Sequence, residues 1–245
     1  MKTNNQIFFE GTNGKAILLM HGLTSGAAQM IPMARFLNDY GYSVHCVNIA
    51  GHGTYPQDLL HTTAEDMICK AEYDYLKLKK EYEKIYVGGI STGGILSLML
   101  CSKYPEIEGF ISISSPIELV SNSIISTEYP EETVYVNRSM EGKIGIFKQY
   151  HIHYEKIAIC IFDELRRLME MVKCTELLNK INCPGLVVQA DDDDIATPQS
   201  AVYILENINS PKKVSYTPST GGHLIVLSEG RHEVFKQAAE FLENL

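Results

Sequence analysis

Short apolar runs alternate with helical stretches along most of this chain. Runs rich in Val, Ile and Leu are typical of strands that are buried on both faces of a sheet. The alternation predicts an α/β fold, with a mostly parallel sheet flanked by helices. The strand-like runs occupy residues 16–20, 43–48, 84–88, 109–113, 185–190 and 213–216, and the helical stretches include 28–40, 63–80 and 231–244.

Residues 116–181 interrupt this alternation, because no convincing buried strand is found among them. Apolar residues recur there at helical spacing and predict a helix over 155–172. We therefore expect a core of residues 1–115 and 182–245 and a small helical insertion of residues 116–181. Since α/β proteins bind ligands at the carboxyl ends of their strands, we interpret the insertion as a cap, or lid, over such a site. The alternative is a helical excursion on the surface.

The sequence Gly89-Ile90-Ser91-Thr92-Gly93 has the form G-x-S-x-G and stands between a predicted strand and a predicted buried helix. A strand that turns sharply into a helix around a central serine is a nucleophile elbow, and its crowded turn needs glycines. The start of the helix supplies free backbone N–H groups where negative charge develops. The motif therefore predicts that Ser91 is a nucleophile.

A serine hydroxyl needs a neighbouring base, and the base needs an acid that orients it. His223 follows the last predicted strand, so we expect it at the same sheet edge as Ser91. Four aspartates, residues 191–194, follow the preceding strand, and one of them should face His223. The chain order is then Ser, Asp, His. The acidic run has two alternative interpretations, a divalent-cation site and a solvated loop.

The negative oxygen that forms when a serine attacks a carbonyl needs two backbone donors. The N–H of Thr92, directly after the nucleophile, is expected to be one of them. The other should come from the loop after the first strong strand, where Gly22 allows the backbone to come close. The N–H of Leu23 is the best candidate on that loop.

Charge and composition argue against several classes of function. The net charge is −9 and no run of Lys or Arg resembles a phosphate-binding patch, so we expect no nucleic-acid partner. No apolar run reaches the roughly 18 residues of a membrane span, and residues 1–6 hold no apolar region like that of a signal peptide. The six cysteines include no C-x-x-C pair, which favours free thiols in a reduced, cytoplasmic location.

With these residues assembled, the chain resembles the α/β-hydrolases of the carboxylesterase and monoacylglycerol-lipase kind, such as small thermostable bacterial carboxylesterases. The resemblance covers nearly the whole chain and is weakest over the insertion. Its densest motifs are His21-Gly22-Leu23-Thr24, Ala50-Gly51-His52-Gly53, residues 58–62 and 89–94, residues 187–201 and Gly222-His223.

The resemblance also implies roles for individual residues. In that family the acid lies five residues before a proline that opens the next helix, which implies Asp193, with Asp192 as the alternative. Ser91 is then the nucleophile and His223 the base, with Leu23 and Thr92 as the oxyanion donors. The resemblance implies no metal or organic cofactor.

These expectations together predict a serine carboxylester hydrolase that forms an acyl-enzyme on Ser91. Its partner is expected to be a small acyl ester of short to medium chain length, or a monoacylglycerol, and the chain is expected to be a monomer or a weak homo-oligomer. Two alternatives stay open from the sequence. The triad would also attack thioesters, which makes an acyl thioesterase possible, and the fold is also found in non-catalytic binding proteins.

Overall fold

The structure is a computed structural model that describes residues 7–139, 144–151, 154–174 and 176–245. Residues 1–6, for which no signal peptide is predicted, lie outside the described residues. Seven of the strands that the structure describes form one sheet. They are β1 (Ile7–Phe9), β2 (Lys15–Met20), β3 (Ser43–Val47), β4 (Lys84–Ile90), β5 (Gly109–Ile113), β8 (Gly185–Val188) and β9 (Lys213–Tyr216).

The order of strands across this sheet is β1-β3-β2-β4-β5-β8-β9. Each pair of neighbours is parallel, except that β1 runs antiparallel to β3 at the edge. β4 lies in the middle, between β2 and β5, and the carboxyl ends of the parallel strands lie along the same edge. The predicted mostly parallel sheet is confirmed, whereas the short antiparallel β1 was not predicted.

The helices cover the sheet from both faces, because strand residues point alternately to opposite sides. In β2, Ile17 and Leu19 belong to one apolar layer and Leu18 and Met20 to the other. The helices that pack on the sheet are α1 (Ile31–Asp39), α2 (Ala64–Leu78), α3 (Thr92–Lys103), α6 (Gln199–Asn207) and α7 (Arg231–Glu243). The first layer contains residues of α1 and α7, and the second contains residues of α2, α3 and α6.

Helix α3 is buried on every side over residues 92–101. Its packing against the sheet explains why its sequence is continuously apolar rather than amphipathic. It is the helix that directly follows Ser91, so the elbow is anchored in the middle of the protein.

Between β5 and β8 the chain leaves the sheet and forms a small ribbon and two helices. These elements are β6 (Tyr135–Asn137), α4 (Gly145–Tyr150), β7 (Lys156–Ala158) and α5 (Cys160–Cys174). The helix predicted over 155–172 is wrong at its start, because Ile157 lies in β7 and α5 begins at Cys160. Ile157 and Ile161 are both buried, so their spacing imitates a helical stripe across a strand and a helix. The boundaries of the insertion and its action as a lid stay predictions.

Among the described residues, no helix has both the length and the apolar character that crossing a bilayer requires.

Candidate active site

Ser91 stands at the turn between β4 and α3. Its backbone has a φ of 56° and a ψ of −120°, in a region that residues other than glycine rarely adopt. The turn is held in place by a hydrogen bond from the Ser91 N–H to the carbonyl oxygen of Ile113, 2.8 Å away on the neighbouring strand. The strained turn therefore presents the serine hydroxyl at the carboxyl edge of the sheet.

The two glycines of the motif are required by close packing rather than by their φ angles. A Cβ atom at Gly93 would lie 2.2 Å from the carbonyl oxygen of Met20, at the end of β2. A Cβ atom at Gly89 would lie 2.5 Å from the same oxygen and from the carbonyl carbon of Gly93. Because these neighbours are backbone atoms, no side-chain movement would make room. The elbow thus packs directly on the strand that leads into the Leu23 loop.

His223 lies between Ser91 and Asp193. Its Nε2 is 3.0 Å from Ser91 Oγ, and its Nδ1 is 2.9 Å and 3.0 Å from the two carboxylate oxygens of Asp193. The carboxylate can only accept, so it favours the tautomer with hydrogen on Nδ1 and leaves Nε2 free to accept the serine proton. The three residues therefore form a connected chain of hydrogen bonds.

Asp193 also accepts hydrogen bonds from three other groups. Its Oδ1 accepts the backbone N–H groups of Ile195 and Ala196, at 2.8 Å and 2.9 Å, and its Oδ2 accepts Nε2 of Gln189 at 2.8 Å. Burial by itself raises the pKa of this carboxyl, but the hydrogen bond and charge of His223 and the two backbone donors outweigh burial and lower the pKa. Asp193 is thus held as a carboxylate.

Asp192, the alternative acid, has different partners. Its carboxylate accepts the backbone N–H groups of Gly221 and Gly222, at 3.2 Å and 2.7 Å. These glycines directly precede His223, so Asp192 fastens the loop that carries the imidazole and does not itself contact the ring.

The predicted oxyanion donors lie on the two segments that meet at the elbow. Leu23 lines the cavity beside Ser91, and Thr92 is the first residue of α3. Neither backbone N–H donates a hydrogen bond to any other described residue, so both are free to bind an incoming oxygen. A Cβ atom at Gly22 would lie 3.3 Å from Ser91 Cβ, which brings the start of this loop into contact with the nucleophile.

Two polar side chains hold the Leu23 loop in shape. Gln29 Oε1 accepts the Gly22 N–H at 2.8 Å. His21 Nδ1 donates to the Gly22 carbonyl at 2.7 Å, and its Nε2 accepts the Ile49 N–H at 3.0 Å. Burial, assisted by the nearby His52, lowers the pKa of His21 to about 3, so its ring stays neutral and can accept. His21 therefore has a structural role in this loop.

A cavity of about 620 Å³ opens over Ser91. This size lies within the range of small-molecule sites in proteins. The insertion contributes apolar walls, which are formed by Ile124, Ile125, Ile157, Phe162 and, in its helix α4, Phe147. Leu224, Leu227 and Ser228 complete the wall after His223.

Sequence reasoning missed Gln189, Gln29 and Arg138. Gln189 lies inside the predicted strand run 185–190, and the available signal was a polar side chain near the end of an apolar run, two residues before the aspartates. Gln29 gave only a weak signal, as a polar residue between Ala28 and Met30, and its full burial is seen only in the structure. Arg138, which lines the cavity, gave no signal, because its position depends on how the insertion packs.

A strained serine after a central strand, with a histidine and a buried carboxylate aligned behind it, is the arrangement of the serine hydrolases of α/β fold. The family model described as serine aminopeptidase S33, Hydrolase_4, matches residues 11–141 of this chain. The chain belongs to this family.

Full-length relatives narrow the class further. The chain is 32% identical over 235 residues to a carboxylesterase of Bacillus subtilis, with 94% of this chain and 93% of that protein covered. It is 29% identical over 234 residues to a thermostable monoacylglycerol lipase of a Bacillus species, with 95% and 92% covered. The resemblance to carboxylesterases and monoacylglycerol lipases is confirmed, and the protein is a serine ester hydrolase.

Solved structures show the same fold. A structure from a study of the metagenome-derived lipolytic enzymes LipS and LipT matches with a TM-score of 0.86 at 20% identity, covering 99% of this chain and 98% of that chain. The monoacylglycerol lipase of Paleococcus ferrophilus matches with a TM-score of 0.77 at 16% identity, covering 98% of both chains. The predicted α/β-hydrolase fold is therefore confirmed.

Proposed function

We propose that this protein hydrolyses acyl esters of short to medium chain length, including monoacylglycerols, through an acyl-enzyme on Ser91. The observation that carries the proposal is the alignment of Ser91, His223 and Asp193 through contacts of 3.0 Å and 2.9 Å. The names of the two Bacillus relatives support the ester class. The cavity of about 620 Å³, with its apolar walls, favours an acyl group of limited length.

In the proposed reaction, His223 Nε2 takes the proton of Ser91 Oγ as this oxygen attacks the ester carbonyl. The N–H groups of Leu23 and Thr92 bind the negative oxygen of the tetrahedral intermediate, and Asp193 stabilises the imidazolium. His223 then gives the proton to the leaving alcohol, and the acyl group stays on Ser91. Water, deprotonated by His223, releases the acid and restores the serine.

The proposal is tested with 4-nitrophenyl esters from acetate to laurate and with a fluorophosphonate probe. The wild type should be labelled by the probe and should turn over the shorter esters fastest, whereas Ser91→Ala should lose both labelling and turnover. Ser97→Ala is the matched control, because Ser97 lies in α3 with its hydroxyl bonded to the Gly93 carbonyl. Turnover that survives in Ser91→Ala would contradict the proposal.

Supplying an acyl thioester beside the matched oxygen ester would separate the esterase from the thioesterase alternative.

We also infer a cytoplasmic protein, a monomer or weak homo-oligomer, that uses no metal or cofactor and binds no nucleic acid. The free thiols of Cys46, Cys69, Cys101, Cys160 and Cys183 support the reduced location.

A further inference from the structure

Arg138 brings a positive charge into the cavity over Ser91. It directly follows β6 in the insertion and lines the same cavity as Ser91 and His223. Its backbone N–H donates to the Glu155 carbonyl at 2.9 Å, which ties the residue to the start of β7. Its guanidinium Nη1 donates to Thr24 Oγ1 at 3.0 Å. The side chain therefore points from the insertion toward the Leu23 loop, which carries one of the two proposed oxyanion donors.

The guanidinium of Arg138 carries five N–H groups. Thr24 accepts one of them, and no other acceptor is found in the part of the chain that the structure describes. Among the described residues, no carboxylate forms an ion pair with Arg138, whereas Arg166 and Arg167 of α5 pair with Asp163 and with Glu65 and Glu164. Burial lowers the pKa of Arg138, in keeping with a charge that is partly removed from water and not neutralised by a neighbour.

The other charged residues of the cavity lie with the His223 loop. Asp192 binds the backbone of Gly221 and Gly222, and Asp194 is exposed. Arg138 is the only Lys or Arg among the described residues that line the cavity, and Ile124, Ile125, Ile157 and Phe162 give it apolar surroundings. The cavity thus has a cationic part at Arg138, on the side of the insertion, and an acidic part at Asp192 and Asp194, beside the His223 loop.

We propose that Arg138 binds an anionic group, a carboxylate or a phosphate, carried by the ester, so that the enzyme prefers anionic esters over neutral esters of the same length. A planar guanidinium with free donors matches the paired oxygens of either group. This inference rests on the proposed ester hydrolysis at Ser91 and adds a substrate class to it.

Arg138 and Ser91 lie against neighbouring positions of the same loop. Thr24, the partner of Arg138, directly follows Leu23, and Gly22 lies beside Ser91. Gly22 and Thr24 are two residues apart, and two residues of extended chain span at most about 7 Å. Because Arg138 and Ser91 also line the same cavity, an anionic group bound by Arg138 can belong to the ester whose carbonyl lies at Ser91, at the far end of a short acyl chain or on a small alcohol.

A purely structural role for Arg138, as a tether between the insertion and Thr24, makes a different prediction. Loss of a tether would disturb the Leu23 loop and lower turnover of all esters alike. Loss of a binding group would lower turnover of anionic esters selectively. The ratio of kcat/KM for an anionic ester to that for its neutral counterpart therefore separates the two roles.

The test uses two matched pairs of esters and subtracts hydrolysis without enzyme. For the carboxylate, mono-4-nitrophenyl adipate is compared with its methyl-capped diester by release of nitrophenolate. For the phosphate, 1-decanoylglycerol 3-phosphate is compared with 1-decanoylglycerol by release of decanoate. Wild type, Arg138→Met, Arg138→Lys and Arg167→Met are measured, the last being the same substitution at an exposed arginine of the insertion.

We expect the wild type to prefer the anionic member of at least one pair. In Arg138→Met, the ratio of kcat/KM for that anionic ester to kcat/KM for its neutral counterpart should fall by about 10- to 100-fold. Arg138→Lys should keep part of the preference, and Arg167→Met should keep all of it. The pair that responds identifies the anionic group. Equal losses for both members in Arg138→Met, or no preference in the wild type, would overturn the inference while leaving ester hydrolysis intact. If the wild type hydrolyses none of the esters, the proposed function fails and this inference fails with it.

Discussion

Replacing Asp193 by Asn keeps the shape of the side chain and exchanges one acceptor oxygen for an NH₂ donor. The structure determines where that donor would lie. The backbone N–H groups of Ile195 and Ala196 both donate to Oδ1, so the amide oxygen of the asparagine must occupy this position. The NH₂ group then takes the place of Oδ2.

At that place the new donor meets two groups that now donate to Oδ2. Gln189 Nε2 lies 2.8 Å away and His223 Nδ1 lies 3.0 Å away. Gln189 cannot simply turn its amide over, because its Nε2 also donates to the carbonyl of Ala196 at 3.2 Å. His223 Nδ1 lies between the two positions, 2.9 Å from the amide oxygen and 3.0 Å from the new NH₂ group, so a hydrogen kept on Nδ1 faces a second donor. Moving that hydrogen to Nε2 removes the clash of donors and lets Nδ1 accept from the NH₂ group. Nε2 then faces Ser91 as a donor, and the serine has no base.

The expected loss is large. The same exchange at the acid of a well-studied serine hydrolase lowers kcat about 10⁴-fold through the wrong tautomer. At about 1.36 kcal/mol per tenfold change, this corresponds to about 5.4 kcal/mol of barrier. The NH₂ group of the asparagine would face the Gln189 Nε2 donor with no acceptor between them, and this should also lower the free energy of unfolding by about 1–3 kcal/mol.

Asp192→Asn is the matched control, because it makes the same exchange one residue away. Asp192 is exposed, and in the described part of the chain it accepts only the backbone N–H groups of Gly221 and Gly222, so its asparagine can keep an acceptor there. We expect it to lose less than about tenfold in kcat. Turnover of a short 4-nitrophenyl ester is measured for both variants, with thermal unfolding to show that each is folded. A folded Asp193→Asn that keeps activity, while Asp192→Asn loses it, would refute this reasoning.

Three further predictions concern stability. Gly93→Ala should lower the free energy of unfolding by about 3 kcal/mol in chemical denaturation, because its Cβ would lie 2.2 Å from a backbone oxygen. Gly14→Ala, at a φ of +74° but with open space around it, should lower it by only about 1–2 kcal/mol. Equal losses in the two variants would contradict the packing explanation. Burial holds the pKa of His21 at about 3, so protonation of the unfolded chain, whose histidine pKa is about 6.5, should lower the free energy of unfolding by up to about 1.4 kcal/mol per pH unit as the pH falls from 6.5. Urea unfolding between pH 6.5 and 4.5 should therefore show a shallower slope for His21→Gln than for the wild type, and identical slopes would show that His21 does not contribute. Tyr154→Phe should cost about 1–3 kcal/mol in thermal unfolding, since Tyr154 Oη accepts the Gly53 N–H at 2.8 Å and the change leaves that donor without its partner; an unchanged melting temperature would argue against this contact.

The central strands could be predicted because they are buried on both faces, and burial leaves a continuous apolar run in the sequence. β1 could not, since it is a three-residue edge strand with Phe8 exposed, and its pairing with β3 depends on a distant part of the chain. Ile157 was assigned to a helix because burial in a strand and burial in a helix give the same signal over one turn.

The candidate site divides in a similar way. Ser91 and His223 follow from local patterns, because an elbow motif and a histidine after the last strand carry their own structural context. The four aspartates could not be separated by the residues alone, since all four share one polar loop. What distinguishes Asp193 is the direction of its side chain, which the N–H groups of Ile195 and Ala196 set. The position of Arg138 depends on the packing of the insertion, which no local pattern specifies.

The contact of Gly93 with the Met20 carbonyl has an evolutionary consequence. Main chain packs directly against main chain there, so the side chains of the cavity walls do not set how α3 lies against the end of β2. The walls of the cavity come largely from the insertion and from the segment after His223, neither of which takes part in that contact. Mutations in residues 116–139 and 154–174 can therefore change which esters are bound without changing the packing of the serine turn. Directed evolution of this enzyme toward a new ester should concentrate its variation there.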